Sequence, residues 1–440
     1  MYGNIAKDTR SMIPLTHVCR YWRESIISTP ENWTSISSRS MDLAALSLQR
    51  AKEVPLEISL DGVQIGKSPG FPDLLTSHIK NTESLQFKLS SSIQELAQAL
   101  PNFPQSMPNL RSLSLIGRTT GWDWSADPFG PLTPTLTRLS LIDIPLYPTF
   151  LRISTLTNLT LYHGRFNLHL DTLLDFLEEN RSLEHVVLDI EFTEAVFRNS
   201  RRRVAIRNRL RSLTIASPDA IDGHALISSI ALQRGAHLEI SLYDESTEVD
   251  DVLSIFSMAH FSNLESPTLM VYYPDDRSIR LLGPNGSFSF KSVLDLENPF
   301  EEFAPLFLSK LRVLRIHRGP ELAVLTNPTT FPSSLPALET FTLEYGFSVS
   351  RLFSSLFSNP SSSPSLKTLA FLDCDLDDDF MEKLTRFASN RKKTTSAWLH
   401  RVVIVDSRGG LPSVVLIDKL GKYVPVVDVR IGKKLPADLI

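Results

Sequence analysis

Cysteine is nearly absent: Cys19 and Cys374 are the only two in 440 residues. Two thiols so far apart in sequence do not make a disulfide framework. They point to a reducing compartment, cytoplasmic or nuclear. Long apolar runs are missing too. No stretch approaches 18 uninterrupted apolar residues, which argues against a bilayer span and against a membrane partner. The start, Met1-Tyr-Gly-Asn-Ile-Ala-Lys-Asp, carries no apolar run of the signal-peptide kind. The Asn-x-Ser/Thr sites at Asn32, Asn158, Asn180 and Asn285 are therefore expected to carry no glycan.

Glycine is scarce at 18 residues. No phosphate-cradling glycine loop, Gly-x-Ser-x-Gly, His-Glu-x-x-His or Cys-x-x-Cys pair occurs. His17 lies beside Cys19, but nothing forms a nucleophile and base pair with them. The expectation is a non-enzyme with no cofactor. The net charge of −4 does not favour nucleic acid as a general partner. With 42% apolar and 21% charged residues, the chain has the composition of a folded protein.

What the chain does have is a recurring line of leucines. It reads Leu110-Arg-Ser-Leu113-Ser-Leu115, then Leu136-Thr-Arg-Leu139-Ser-Leu141, then Leu156-Thr-Asn-Leu159-Thr-Leu161. Degenerate copies start at Leu183, Leu210, Leu311, Leu338, Leu366 and Leu399. The shortest step runs from 136 to 156, 20 residues, and the longest from 366 to 399, 33 residues. Steps of 27 divide the gap after 210, landing on His237, Leu264 and Lys291, although Pro267 degrades the middle of the second. A period of this size is the mark of a repeat array, in which each unit packs only on its neighbours.

Between the strands the pattern switches to helical period. Leu170, Leu173, Leu174 and Leu177 share a face, as do Val252, Ile255 and Phe256, then Leu352, Phe353, Leu356 and Phe357, then Phe380, Leu384 and Phe387. A helix is expected from Met41 to Glu53, and strands over 54–60 and 84–89. Strand then helix, repeated, predicts parallel strands with helices outside. The fold class is α/β, a leucine-rich-repeat solenoid with a curved parallel sheet on its concave side and helices and loops outside. Residues 62–72, 119–134, 274–288 and 319–336 read as loops. Asn or Cys is expected three residues after the last leucine. Those positions read Arg118, Ile144, Gly164, Glu191 and Pro218, and only Cys374 fits, so an uneven, twisted horseshoe is expected. Residues 423–430 read as a final edge strand, blunted by Pro425.

Residues 1–40 differ from the rest, set apart from the repeats at 41–430 and a tail at 431–440. Leu15, Val18, Cys19, Trp22 and Ile26 fall at helical spacing, Pro14 suits the first turn, and Thr29-Pro30 stops the helix. Trp33 follows just past the stop. One reading is a cap over the end of the array. The other rests on Leu15-Thr-His-Val-Cys-Arg-Tyr-Trp-Arg-Glu24 and Ser28-Thr-Pro-Glu-Asn-Trp33, which resemble the second half of an F-box, most like the F-box-like domains of mushroom-forming fungi. Such domains are typically followed by irregular leucine-rich repeats. An F-box usually opens with a Leu-Pro-x-Glu-Ile-type helix, and residues 1–11 do not read that way.

The resemblance implies a substrate-recognition subunit of a cullin ubiquitin ligase. It would dock a Skp-type adaptor through Leu15, Val18, Trp22 and Ile26 and hold an unknown protein substrate on the repeats. A stand-alone repeat scaffold without a ligase role is the alternative. In either case strand alternation sends a polar set to the concave face: Arg138, Asn158, Tyr162, His185, Asp189, Tyr243, Arg315, His317 and Glu344. The seven arginines between Arg198 and Arg211 suit acidic or phosphorylated segments, a nuclear address or nucleic acid, or are a solvated face. Asp373-Cys-Asp-Leu-Asp-Asp-Asp379 resembles the start of a calcium loop but lacks its glycine and glutamate. Helix capping explains it better, and no metal is expected.

Overall fold

The computed structural model describes residues 13–65, 70–89, 107–117, 135–144, 150–166, 170–192, 204–205, 209–217, 226, 229–231, 236–242, 269–273, 278–283, 286–292, 311–317, 335–344, 363–374, 376–394, 398–406 and 413–431. The predicted helices at 252–256 and 352–357 and the predicted loops at 119–134 and 319–334 lie outside these residues, as does most of the arginine cluster. The chain forms two compact units, residues 1–216 with 229–231, and residues 217–228 with 232–440.

The first unit opens with a 3-10 turn (Pro14–His17), helix α1 (Arg20–Ser28) and a second 3-10 turn (Pro30–Trp33). Then follow β1 (Ser35–Ser37), α2 (Met41–Ala51), β2 (Leu56–Asp61), a one-turn helix α3 (Gly62–Ile65), α4 (Phe71–His78) and β3 (Thr82–Lys88). Further strands are β4 (Ser112–Ile116), β5 (Arg138–Ile142), β6 (Asn158–Phe166), β7 (His185–Phe192), β8 (Val204–Ala205), β9 (Ser212–Ser217) and β10 (Ile230–Ala231), with α5 (Leu170–Glu179) between β6 and β7. Strands β1 to β7 pair in chain order and β7 pairs β9, every pair parallel. The loop expected over 62–72 is therefore interrupted by α3 and by the start of α4.

Register follows the leucine line. Leu85, Leu113, Leu139, Leu159, Val186 and Leu213 are successive partners, and Phe87, Leu115, Leu141, Leu161, Leu188 and Ile215 make a second row. All are buried. The first leucine of each unit, such as Leu110, Leu136 and Leu156, is buried as well. One rung cannot bury this face alone; stacking does it. The short step from 136 to 156 holds a single 3-10 turn (Phe150–Arg152) among its described residues, with Phe150 fully buried in place of a helix face.

The polar ladder that the expected Asn/Cys position lacks is found elsewhere. In the five rungs of β3 to β7 the residue just before the first core position reaches back to a main-chain carbonyl of the rung before. Asn81 donates to the Lys52 oxygen (3.4 Å), Asn109 to Lys80 (3.1 Å), Thr135 to Pro108 (3.0 Å), Thr155 to Leu136 (2.7 Å) and Ser182 to Ser154 (2.6 Å). Strand entry is thereby closed by side chains. At strand exit Cys374, the one fit at the expected third position, donates its Sγ to the Leu343 carbonyl (3.4 Å), and a main-chain closure falls one residue earlier. The amides of Gly117, Asp143 and Asp373 donate to Ile142, Tyr162 and Val405. Asp143 and Asp373 both sit at φ 56°, a left-handed conformation that aspartate tolerates. A Cβ on Gly117 would lie 2.7 Å from the Asp143 carbonyl oxygen. Gly117→Ala is expected to destabilise the first unit by about 1–3 kcal/mol, measured by thermal melting; an unchanged melt would show that the rung spacing yields freely.

The second unit contains β11 (His237–Leu242), β12 (Leu269–Tyr273), β13 (Ser278–Gly283), β14 (Gly286–Ser292), β15 (Val313–His317), β16 (Thr340–Glu344), β17 (Thr368–Leu372), α6 (Asp378–Thr394), β18 (Arg401–Asp406), α7 (Val414–Gly421) and β19 (Val426–Ile431). Strands β15 to β19 pair in order and parallel, as expected, and β19 is the predicted last strand. The stretch 269–292 departs from the repeat. Strands β12, β13 and β14 form an antiparallel meander, its outer strands pairing parallel with β15 and β11. The expected loop at 274–288 thus contains strand, and the rung expected to begin at Lys291 has its strand at 286–292. Ser287-Phe-Ser-Phe290 alternates with period two, the strand signal, and Pro267 had already broken the leucine line.

Candidate functional site

The N-terminal helical segment exposes apolar side chains instead of burying them. The single helix expected from 14 to 28 is broken. Cys19 has extended backbone (φ −158°, ψ 171°), separating the 3-10 turn from α1. Arg23 Nε donates to the Thr16 carbonyl across the break (2.9 Å). Helix α1 buries one side chain, Ile26. Val18 is 62% exposed, Tyr21 77% and Trp22 47%, and Ile13 and Ile27 are exposed as well. Of the residues assigned to adaptor docking, Val18 and Trp22 face solvent and Leu15 is half-buried. Ile26 is the correction: it points inward, because it anchors the helix to Trp33. The fully buried Trp33 donates from Nε1 to the Ile26 carbonyl (2.9 Å), and the Arg50 guanidinium lies 4.3 Å from its ring centroid. Tyr21, the most exposed member of the patch, escaped the sequence reading because it lies off the i, i+4 stripe.

The polar face of the first unit carries three rows, each crossing the strands. Ser84, Ser112, Arg138, Asn158, His185 and Ser212 are successive partners in one. Gln86, Ser114, Ser140, Thr160, Val187 and Thr214 form the next. Lys88, Ile116, Ile142 and Tyr162 form the third. Arg138 and His185 are exposed, and Asn158 and Tyr162 are half-buried. His185 Nδ1 lies 2.8 Å from Ser212 Oγ. Asp189 is buried and so does not join this surface. The rim is charged: Arg111 pairs with Glu83 (3.3 Å) and Arg211 with Glu184 (3.4 Å).

The corresponding face of the second unit is closed. Thr342, Glu344, Ala370, Leu372, Val403 and Val405 are all buried, although alternation sends them away from the leucine side. The signal was in the sequence: Thr-Leu-Ala-Phe-Leu in β17 and Arg-Val-Val-Ile-Val in β18 are continuous apolar runs, the pattern of strands buried on both faces. Glu344 is thus a core group rather than a contact residue. Arg315 Nε lies 3.1 Å from its Oε1, and both are largely shielded from solvent. The backbone of His317 lies in β15; Tyr243 is outside the described residues. Cys374 sits beside this pair. Burial pushes its thiol up to about 12, with the Asp373 and Glu344 charges adding to the effect against a backbone hydrogen bond at Leu372. Cys19 is exposed. Iodoacetamide at pH 8 is expected to modify Cys19 and leave Cys374 intact until the protein unfolds, read by mass spectrometry. Equal labelling of both would show that the second unit opens readily.

Asp377 Oδ1 accepts from the Phe380 amide (2.7 Å), so this aspartate caps α6 as expected. Among the described residues no group of three or more His, Cys, Asp or Glu side chains could hold a metal. No described helix is long and apolar enough to cross a membrane. What these geometries define is an α/β repeat protein built on long parallel sheets, with an apolar helical patch at its N-terminal end and one open polar face. No family model matches the chain, and no curated protein matches it. A crystal structure of a Bacteroides fragilis protein is similar over 89% of this chain and 79% of its own, at 12% identity and a TM-score of 0.25. The fold assignment rests on the strand register instead.

Proposed function

We propose that this chain is a substrate-recognition subunit of a cullin-type ubiquitin ligase, an F-box-like helical segment joined to leucine-rich repeats. The helical segment docks a Skp-type adaptor; the open polar face of the first unit holds a protein substrate. The chain contributes proximity and no chemistry of its own. One observation carries the docking half. Helix α1 has nine residues, buries only Ile26, and presents Tyr21 and Trp22 to solvent, with Val18 exposed at the end of the 3-10 turn before it. A helix that short is marginal without tertiary packing, and aromatic residues in a compact apolar patch are the usual anchors of an interface. The motif resemblance names the partner.

The test is binding of the full chain to a purified Skp-type adaptor by calorimetry, with and without Val18→Glu/Tyr21→Glu. Both side chains are exposed, so the double variant is expected to keep its circular dichroism while losing about 100-fold or more in affinity. Adaptor binding is also expected to protect Cys19 from alkylation. No measurable binding by the unsubstituted chain would leave the stand-alone scaffold, supported by the same polar face without a ligase.

A further inference from the structure

The polar face of the first unit has an uncompensated cation at its centre. Arg138 is exposed and makes no ion pair or side-chain hydrogen bond among the described residues. Its neighbours in register are Ser112 and Asn158, and the next row over carries Ser114, Ser140 and Thr160. None of these is a carboxylate. The three cations in the third row and at the rim of this face, Lys88, Arg111 and Arg211, each have an acidic partner. A guanidinium ringed by hydroxyls and an amide is a donor set that suits a planar or tetrahedral anion. Along the same strand, four residues on, Ile142 lies beside Ile116 and Tyr162 in a half-buried apolar row. At the strand rise of about 3.3 Å per residue, the cation and the apolar row are about 13 Å apart.

We infer that this face binds an extended protein segment that carries an anionic side chain and, four residues away, an aliphatic one. The anion pairs with Arg138, the aliphatic group covers Ile116, Ile142 and Tyr162, and the hydroxyl row between them meets the segment's backbone. An extended chain rises by the same amount per residue as the strand beneath it, so the i, i+4 spacing is a geometric requirement. Carboxylate and phosphoryl groups offer the same chemistry to the arginine. The inference rests on the polar face being the surface that holds a partner, and it is independent of adaptor docking.

A peptide array tests it, probed with the full chain. Leucine is fixed, with phosphoserine, glutamate or serine placed four residues before it or after it, and all other positions are degenerate. A second set places the same pair two residues apart. The anionic members at spacing four are expected to retain about tenfold more protein than serine members or spacing-two members. Phosphoserine above glutamate identifies a phosphoryl ligand; equal retention identifies a carboxylate. Arg138→Ala, at an exposed site, is expected to keep the melting curve and abolish the difference, while Ile142→Ser removes the leucine preference. Retention independent of the anion, or unchanged by Arg138→Ala, overturns the inference. Adaptor affinity measured on the same preparation is expected to stay constant, so failure here is distinguishable from failure of the docking reading.

Discussion

Trp33→Ala is expected to destabilise the first unit by about 4 kcal/mol, within the range for removing a fully buried aromatic. Three things are lost at once. The ring leaves a cavity where it is 1% exposed. The Ile26 carbonyl loses its 2.9 Å donor, and the Arg50 guanidinium loses the ring 4.3 Å beneath it. Because Ile26 is the one buried residue of α1, the helix loses its anchor together with the ring. Thermal melting should show the effect, and hydrogen exchange should place it in residues 13–61. Trp33→Phe separates the contributions: the ring remains and the indole hydrogen bond goes, for about 1 kcal/mol. A Trp33→Ala change of under about 1 kcal/mol, or exchange unaltered in α1, would mean the helix is held by something other than this contact.

Arg391→Ala is expected to cost the second unit about 3 kcal/mol. The side chain is wholly buried near the end of α6 and donates to three carbonyls of the turn before β17: Ser363 (2.9 Å), Leu366 (3.1 Å) and Pro364 (3.4 Å). Burial itself works against the charge, pulling the guanidinium below its ordinary value. Removing it therefore returns some desolvation energy while taking a charged donor from each carbonyl, of which Ser363 keeps the Leu366 amide (3.1 Å), and charge-assisted bonds of this kind are worth about 1.5–3 kcal/mol each. The Phe387 ring, 5.6 Å away, also loses its cation. Arg391→Met keeps the aliphatic stem and discards the donors. A loss of about 2 kcal/mol with methionine assigns most of the effect to the hydrogen bonds. Equal stability of Arg391→Met and the parent chain would assign it to packing.

The repeat was legible because its signal is spread over many rungs. Leu110, Leu113 and Leu115 recur often enough that one degraded copy, such as the rung with Pro267, does not erase the period. The same redundancy misleads at 269–292, where the period and a loop reading of 274–288 pass over the stretch's own alternation, Ser287-Phe-Ser-Phe290, which is a strand signal. The candidate site was half legible. Val18 and Trp22 were found by helical spacing, but that spacing also selected Ile26, which faces inward. Spacing finds a stripe and does not say which side of it is covered. On the polar face, alternation placed Arg138 and His185 correctly and gave no warning that Glu344 and Asp189 are buried.

From the amino-acid order alone came the period of about 27 residues, the parallel rungs, the inward leucines and the apolar N-terminal motif. These are local or periodic properties, repeated along the chain, and each follows from a side chain's distance to its near neighbours in sequence. Only tertiary structure decided which polar residue closes each rung, where the antiparallel meander interrupts the stack, and which sheet face stays open. Those outcomes depend on contacts between residues some 25–30 positions apart, such as Asn109 with Lys80 and Arg391 with Ser363. A hydrogen bond across that distance in sequence exists only once the rungs have stacked.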